Sequence, residues 1–226
     1  MRINADLSRR AVVTPETATW VPSPESGVER LMLDRDGGEV ARATSVVRFA
    51  PHSRFAAHTH GGGEEFLVLE GTFSDETGDY PAGTYVRNPP GTSHAPRSEP
   101  GCTLFVKLRQ FAPDDLTAVV IDTTSPTAAW QPGAVEGASV LPLHAHGTER
   151  VALERWRPGT RFERRGDPGG EEILVLEGGF ADEHGAYPAR SWLRLPPGLT
   201  HAPRTEDGCL LYVKTGHLPP PAAAGA

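Results

Sequence analysis

Apolar and polar residues follow one another along this chain in short runs, and glycine and proline separate the runs. Residues 46–49, 66–69, 84–87 and 103–108 are rich in apolar, β-branched and aromatic side chains, the composition of strands. In the last run Cys102, Leu104, Val106 and Leu108 share one parity, while Lys107 and Arg109 take the other. Successive strand side chains point to opposite faces, so the first set is expected inside a barrel. Residues 74–78 read as a hairpin loop of turn formers, and Pro89, Pro90 and Gly91 as an enforced bend. No long 3.6-residue period interrupts the pattern. With 25 glycines and 22 prolines in 226 residues, the composition is that of an all-β protein.

A shift of 107 positions lays residues 55–107 on 162–214 without a gap, and about thirty of some fifty pairs are identical. Glu64 falls on Glu171, Tyr80 on Tyr187 and His94 on His201. Upstream, Trp20 and Pro22 match Trp130 and Pro132 at a shift of 110. The chain is therefore a duplication, long enough for two small cores. The expected division is 1–111 and 112–218, cut in the polar stretch after Phe111, with a disordered tail at 219–226.

The duplication exposes a chemical difference between its halves. In the first, HTHGGGE carries His58, His60 and Glu64 at one parity, and PPGTSH ends at His94. Three imidazoles and one carboxylate suit a single divalent transition metal: zinc or iron first, with manganese and nickel also compatible. In the second half His58 becomes Arg165 and His60 becomes Asp167, although Glu171 and His201 remain. A guanidinium stays protonated and cannot ligate a cation, so this half is expected to be metal-free. Arg165 either pairs with Glu171, supplying the charge a metal would bring, or reaches out to solvent. His144 and His146 imitate a ligand pair but lack partners at the right spacing, and read as exposed loop residues. Glu65 and Glu172, of the opposite parity to the ligand positions, are expected in structural ion pairs or hydrogen bonds. Arg48 and Arg155 recur in both halves, which points to architecture. Cys102 and Cys209 are equivalent positions and read as reduced core thiols.

The spacing H-x-H-x3-E-x6-G over 58–71, followed by G-x5-P-x-G-x2-H over 83–94, resembles the paired motifs of the cupin superfamily. The resemblance implies two tandem cupin barrels of the double-stranded β-helix, or jelly-roll, type. It also implies metal ligands at His58, His60, Glu64 and His94. Ser98 stands where many cupins end the second motif with a non-ligating Asn. The segment GGEEFLVLEGTFSDETGDYPAGTYVRNPPGTSHAP further resembles the cupin-like domain of ChrR-type anti-sigma factors, zinc proteins that restrain a sigma factor until oxidative stress. Such proteins begin with a helical sigma-binding domain carrying its own His/Cys motif. MRINADLSRRAVVTPETATW has no Cys and no helical period, so a sigma factor is not the expected partner.

Three functions follow from the resemblance. The first is a dioxygenase-type oxidoreductase acting on a small molecule held in the N-terminal barrel; no catalytic side chain is assigned. The second is a non-catalytic, ChrR-like metal sensor or regulator of the oxidative-stress response, and the third a scaffold without chemistry. A formal net charge of −7 without a basic run argues against a nucleic-acid partner. No apolar stretch approaches the roughly 20 residues that cross a bilayer, so no membrane partner and a cytoplasmic location are expected. Exposed sheet edges in small barrels allow a homodimer.

Overall fold

The computed structural model describes residues 1–38 and 40–219, all-β and without a helix. Apart from Pro219, the expected tail lies outside the described residues. Among the described residues no helix is long and apolar enough to cross a membrane. The chain packs as two compact units. One contains Met1–Ala5 and Thr19–Ala128; the other contains Asp6–Ala18 and the chain from Ala129 onward.

Strand order is the same in both except at the first strand, where Trp20–Pro22, the counterpart of Gln131–Pro132, pairs with Val28–Gly37 alongside Arg2–Ile3. In the first unit it runs Arg2–Ile3, Val28–Gly37, Ala41–Phe49, Cys102–Leu108, Glu64–Ser74, Thr84–Asn88, Val119–Asp122, with every pairing antiparallel. In the second it runs Gln131–Pro132, Ala138–His146, Glu149–Trp156, Cys209–Thr215, Glu171–Asp182, Trp192–Leu195, Ala11–Val13. The last strand of each sheet comes from outside the repeat that supplies the rest. AVV occurs at 11–13 and again at 118–120. Val12 pairs with Leu193 in the second unit, and Val120 with Val86 in the first. A packed unit and a sequence repeat are therefore different stretches of chain.

Alternation fills the interiors as the parity requires. Cys102, Leu104 and Val106 join Val28, Phe49, Phe66, Val68, Phe73 and Val86 in the first core, with Leu108 packed at its margin. In the second, Cys209, Leu211 and Val213 join Trp156, Phe162, Ile173, Val175, Phe180, Tyr187 and Leu193. Both cysteines are free and buried, as expected, and burial pushes their thiols up to about 11 and about 12. The opposite face of the same strands is also buried: Lys107 is only 1% exposed and donates to Thr44 Oγ1 at 3.1 Å. Glu65 takes the structural role assigned to it, accepting from Arg87 at 2.7 Å. Glu172 likewise accepts from Trp192 Nε1 at 2.8 Å and lies 3.2 Å from His217. Arg48 lies 4.0 Å from the Trp20 ring centre and Arg155 4.3 Å from that of Trp130, a stack repeated in both units.

Candidate metal centre

Three turns of backbone bring the first unit's four residues together. The two-residue strand His58–Thr59 pairs with Ser93–His94, placing His94 directly opposite His58. Next along the chain, the His60 N–H donates to the Thr92 carbonyl at 2.8 Å, and the His60 carbonyl accepts from the Gly91 N–H at 2.9 Å. The proline bend is thereby tied to the histidine loop. Glu64 opens the long strand Glu64–Ser74, beside Asn88 and Leu108. The loop between needs glycine at Gly63, whose φ is +78° and where a Cβ would fall 2.3 Å from the Phe111 ring.

One ligand-capable atom from each of His58, His60, Glu64 and His94 lies within 4.8 Å of the others. His60 Nε2 and His94 Nε2 are 3.1 Å apart, and Glu64 Oε2 is 3.3 and 3.4 Å from them. What fits this group to a cation is the state of its nitrogens. His58 Nδ1 faces the Ala56 carbonyl at 2.9 Å, and His94 Nδ1 faces the Asp75 carboxylate at 3.1 Å, both pure acceptors. His60 Nδ1 faces Thr92 Oγ1 at 2.9 Å. That hydroxyl gives its one proton to the Pro89 carbonyl at 2.7 Å, so toward His60 it can only accept. Each Nδ1 therefore carries the hydrogen, and in the neutral rings each Nε2 presents a lone pair to a common centre. Two such lone pairs 3.1 Å apart repel unless a proton or a metal ion lies between them.

The electrostatics agree. Burial, reinforced by the charges of His94 and His58, pushes His60 down to about 4, and burial lowers His94 too. Burial also lifts Glu64 to about 7, against a 3.2 Å hydrogen bond from Asn88. The buried imidazoles resist protonation and the buried Glu64 favours its neutral form, so the group carries little charge when empty, whereas a divalent ion would satisfy all four groups at once. Asp75 is held ready to orient His94 by the Thr77 N–H at 2.8 Å and the Thr77 hydroxyl at 2.6 Å. A cavity of about 400 Å³ opens onto His58, His60 and Glu64, walled by Phe49, Phe55 and Phe73. It is large enough for a small molecule.

In the second unit the matching place is filled by a guanidinium. Arg165 donates to Glu154 at 2.7 and 3.1 Å and to Glu171 at 2.5 Å. The pairing with Glu171 is thus present. Glu154, which stands at the position of Val47 in the first repeat, escaped sequence reasoning. An acidic residue at an interior parity, arising together with the His58-to-Arg165 change, was the signal. Asp182 sits 3.0 Å from His201 Nδ1, as Asp75 sits by His94. This carboxylate also escaped notice, although its ADE block repeats the SDE of the first half. Asp167 accepts from the Gly169 N–H at 2.7 Å, a turn contact. His144 and His146 are not exposed loop residues: they close the strand Ala138–His146, opposite Val151 and Glu149, and are half-buried. Strand pairing extends further there than the glycine of HGTE suggested.

The comparisons with known proteins follow the same lines. The family model for the ChrR cupin-like domain matches twice, over residues 8–112 and 117–219. No curated protein matches the chain. Among solved structures, a proposed dioxygenase from Nostoc punctiforme superposes with a TM-score of 0.77 at 14% identity, covering 97% of this chain and 85% of that one. A bacterial pirin from Escherichia coli, crystallised with nickel(II), gives 0.66 at 14%, covering 94% and 100%. A mutant of the Bacillus subtilis oxalate decarboxylase gives 0.59 at 14%, covering 91% and 77%. At such identities the structural likeness establishes the cupin fold alone. Together with two matches that span most of the sequence, it shows that the chain belongs to the ChrR cupin-like family, as a tandem pair of such domains.

Proposed function

We propose that the first unit holds one divalent transition metal on His58, His60, Glu64 and His94 and acts on a small molecule as a dioxygenase-type oxidoreductase, while the second unit remains metal-free. The observation that carries this reading is the convergence of three Nε2 lone pairs and Glu64 at the end of a cavity walled by aromatic rings. A bound iron(II) ion would supply Lewis acidity and one-electron chemistry toward dioxygen. The protein's own part is positional. Asp75, Thr92 and the Ala56 carbonyl fix the three imidazoles, Asn88 holds Glu64, and Phe49, Phe55 and Phe73 keep bulk water from the reacting end. Arg165 replaces a second ion with a permanent charge, which accounts for activity in one unit only.

Membership of the ChrR cupin-like family favours a second reading, in which zinc fills the site and the protein regulates without catalysis. The two are separated by protein purified under nitrogen and loaded with iron(II). The oxygenase reading expects nitric oxide to bind the ferrous protein and a chelating substrate to perturb its paramagnetic signal. It also expects oxygen uptake with some member of a panel of β-diketones, catechols, flavonols and thiols. Full zinc occupancy as isolated, no nitric oxide signal after loading and no uptake across the panel would select the regulator.

A further inference from the structure

Three left-handed backbone positions carry glycine in one repeat and a larger residue in the other: Gly159 against His52, Gly83 against Arg190 and Gly216 against Arg109. Of these residues only Arg109 lines the cavity of the metal centre. Arg109 and Gly216 are equivalent at the shift of 107. Both adopt the left-handed conformation, with φ of +56° and +71°. The fold requires it in both. The Arg109 N–H donates to the Gly63 carbonyl at 3.0 Å, and the Gly216 N–H to the Gly170 carbonyl at 3.0 Å. Glycine adopts this conformation freely, whereas a residue with a Cβ is strained in it. Arg109 thus holds a conformation that glycine holds in the other repeat, as Arg190 does in the second unit opposite Gly83.

What sets Arg109 apart is where its side chain lies. Arg109 lies across Gly61 and Gly62, the two residues after His60, and lines the cavity of the metal centre. A Cβ on Gly61 would fall 3.0 Å from Arg109 Nη2. In the second repeat, where the arginine is gone, Pro168 replaces Gly61. The bare Gly61 leaves the room that the Arg109 guanidinium occupies. Among the described residues no carboxylate pairs with Arg109, and the side chain is exposed at the cavity rim. Arg30 and Arg35 line the same cavity against two acidic residues, Glu25 and Glu64, of which Glu64 belongs to the ligand set.

We propose that Arg109 is the anion-recognising residue of this pocket, and that its ligand is a small carboxylate with an apolar body, presenting its carboxylate at the rim beside His60. A guanidinium accepts a carboxylate as a two-pronged fork, and the cavity walls match an apolar remainder. The inference rests on the metal-centre reading only for the role of the pocket's inner end.

The test compares the protein and its Arg109→Gly variant, each loaded with zinc(II) and checked by elemental analysis, by calorimetric titration with acetate, benzoate, phenylacetate and phenylpyruvate and with the corresponding amides. At least one carboxylate should bind in preference to its amide, and Arg109→Gly should weaken it about tenfold or more. Arg109→Lys, which keeps the charge without the fork, should fall between. Since glycine relieves the backbone strain, the melting temperature of Arg109→Gly should stay level or rise, which a merely structural arginine would not allow. Binding of no carboxylate, or equal binding by Arg109→Gly, overturns the proposal. Carboxylate binding that depends on Arg109 in protein that takes up no zinc would sink the metal centre and leave this inference standing. Full zinc loading with binding indifferent to Arg109 would do the reverse.

Discussion

Removing Arg165 should leave the second unit folded around two carboxylates that have lost their counter-charge. The Arg165 side chain is 16% exposed, against 14% for Glu154 and 1% for Glu171. Breaking a buried pair by deleting one partner costs about 3–5 kcal/mol, whereas an exposed pair is worth at most about 1. One guanidinium here serves two acids, so Arg165→Ala belongs at the upper part of that range. For a unit of this size that is on the order of 10–20 °C in melting temperature. Glu171→Gln alone should restore only part of the loss, because Glu154 keeps its charge with only the Trp156 Nε1 hydrogen bond at 2.9 Å. Adding Glu154→Val, the side chain that the first repeat has at Val47, should restore most of it. The pH dependence supplies an independent check. Burial alone would raise Glu171, but the Arg165 charge and the His201 contact overbalance it and hold the carboxyl below its ordinary value of 4.5. Its contribution is therefore fully present above about pH 4.5 and fades as the pH falls through the lower folded value. Without Arg165, burial is opposed by His201 alone and the carboxyl should rise above its ordinary value. Its charge then destabilises at neutral pH and is relieved by acid. The gap in melting temperature between protein and variant, followed by differential scanning calorimetry, should narrow from pH 7 to pH 5. A loss under about 1 kcal/mol, or a gap indifferent to pH, would refute the reasoning.

Two further outcomes are expected. Asp75→Asn, which weakens the orienting bond to His94 without touching a ligand, should lower metal affinity about 10- to 100-fold in a competitive chelator titration, with the far-ultraviolet dichroism unchanged. Cys102 and Cys209, buried with their thiols pushed up to about 11 and about 12, should stay inert to a thiol-specific disulfide reagent at pH 8 until the protein is denatured; prompt reaction of either would place it at an accessible surface.

Much of this was readable from the residues because it was local or repeated. Parity assigned Cys102, Leu104 and Val106 to the interior and grouped His58, His60 and Glu64, while the second motif of the cupin resemblance added His94. Repetition picked out Arg48 with Arg155 and, separately, Trp20 with Trp130, but that each arginine stacks on its tryptophan is visible only in the structure. What escaped is non-local. The alignment boundary at Phe111 marks the unit of duplication, but Ala11–Val13 and Val119–Asp122 pack according to the edge strands they pair with. Nothing near either strand encodes that choice. Glu154 was missed because a lone acid in a strand looks like a solvent-facing residue until Arg165 is seen beside it. Asp75 sits in a hairpin of turn formers, where an aspartate ordinarily serves the turn alone. It does so here too, while its second oxygen reaches His94. Arg109 is inconspicuous in sequence; its place across Gly61 and Gly62 at the cavity is what distinguishes it.

Elemental analysis of protein purified under nitrogen, in parallel with His94→Ala and His201→Ala, tests the central claim most directly. One transition metal per chain is expected, lost in His94→Ala and retained in His201→Ala, with all three proteins keeping the same β-sheet dichroism because apolar strands supply the cores. Two metals per chain, one of them lost in His201→Ala, would contradict the assignment of the site to the first unit alone. No metal in any sample, even after reconstitution, would contradict the metal centre itself.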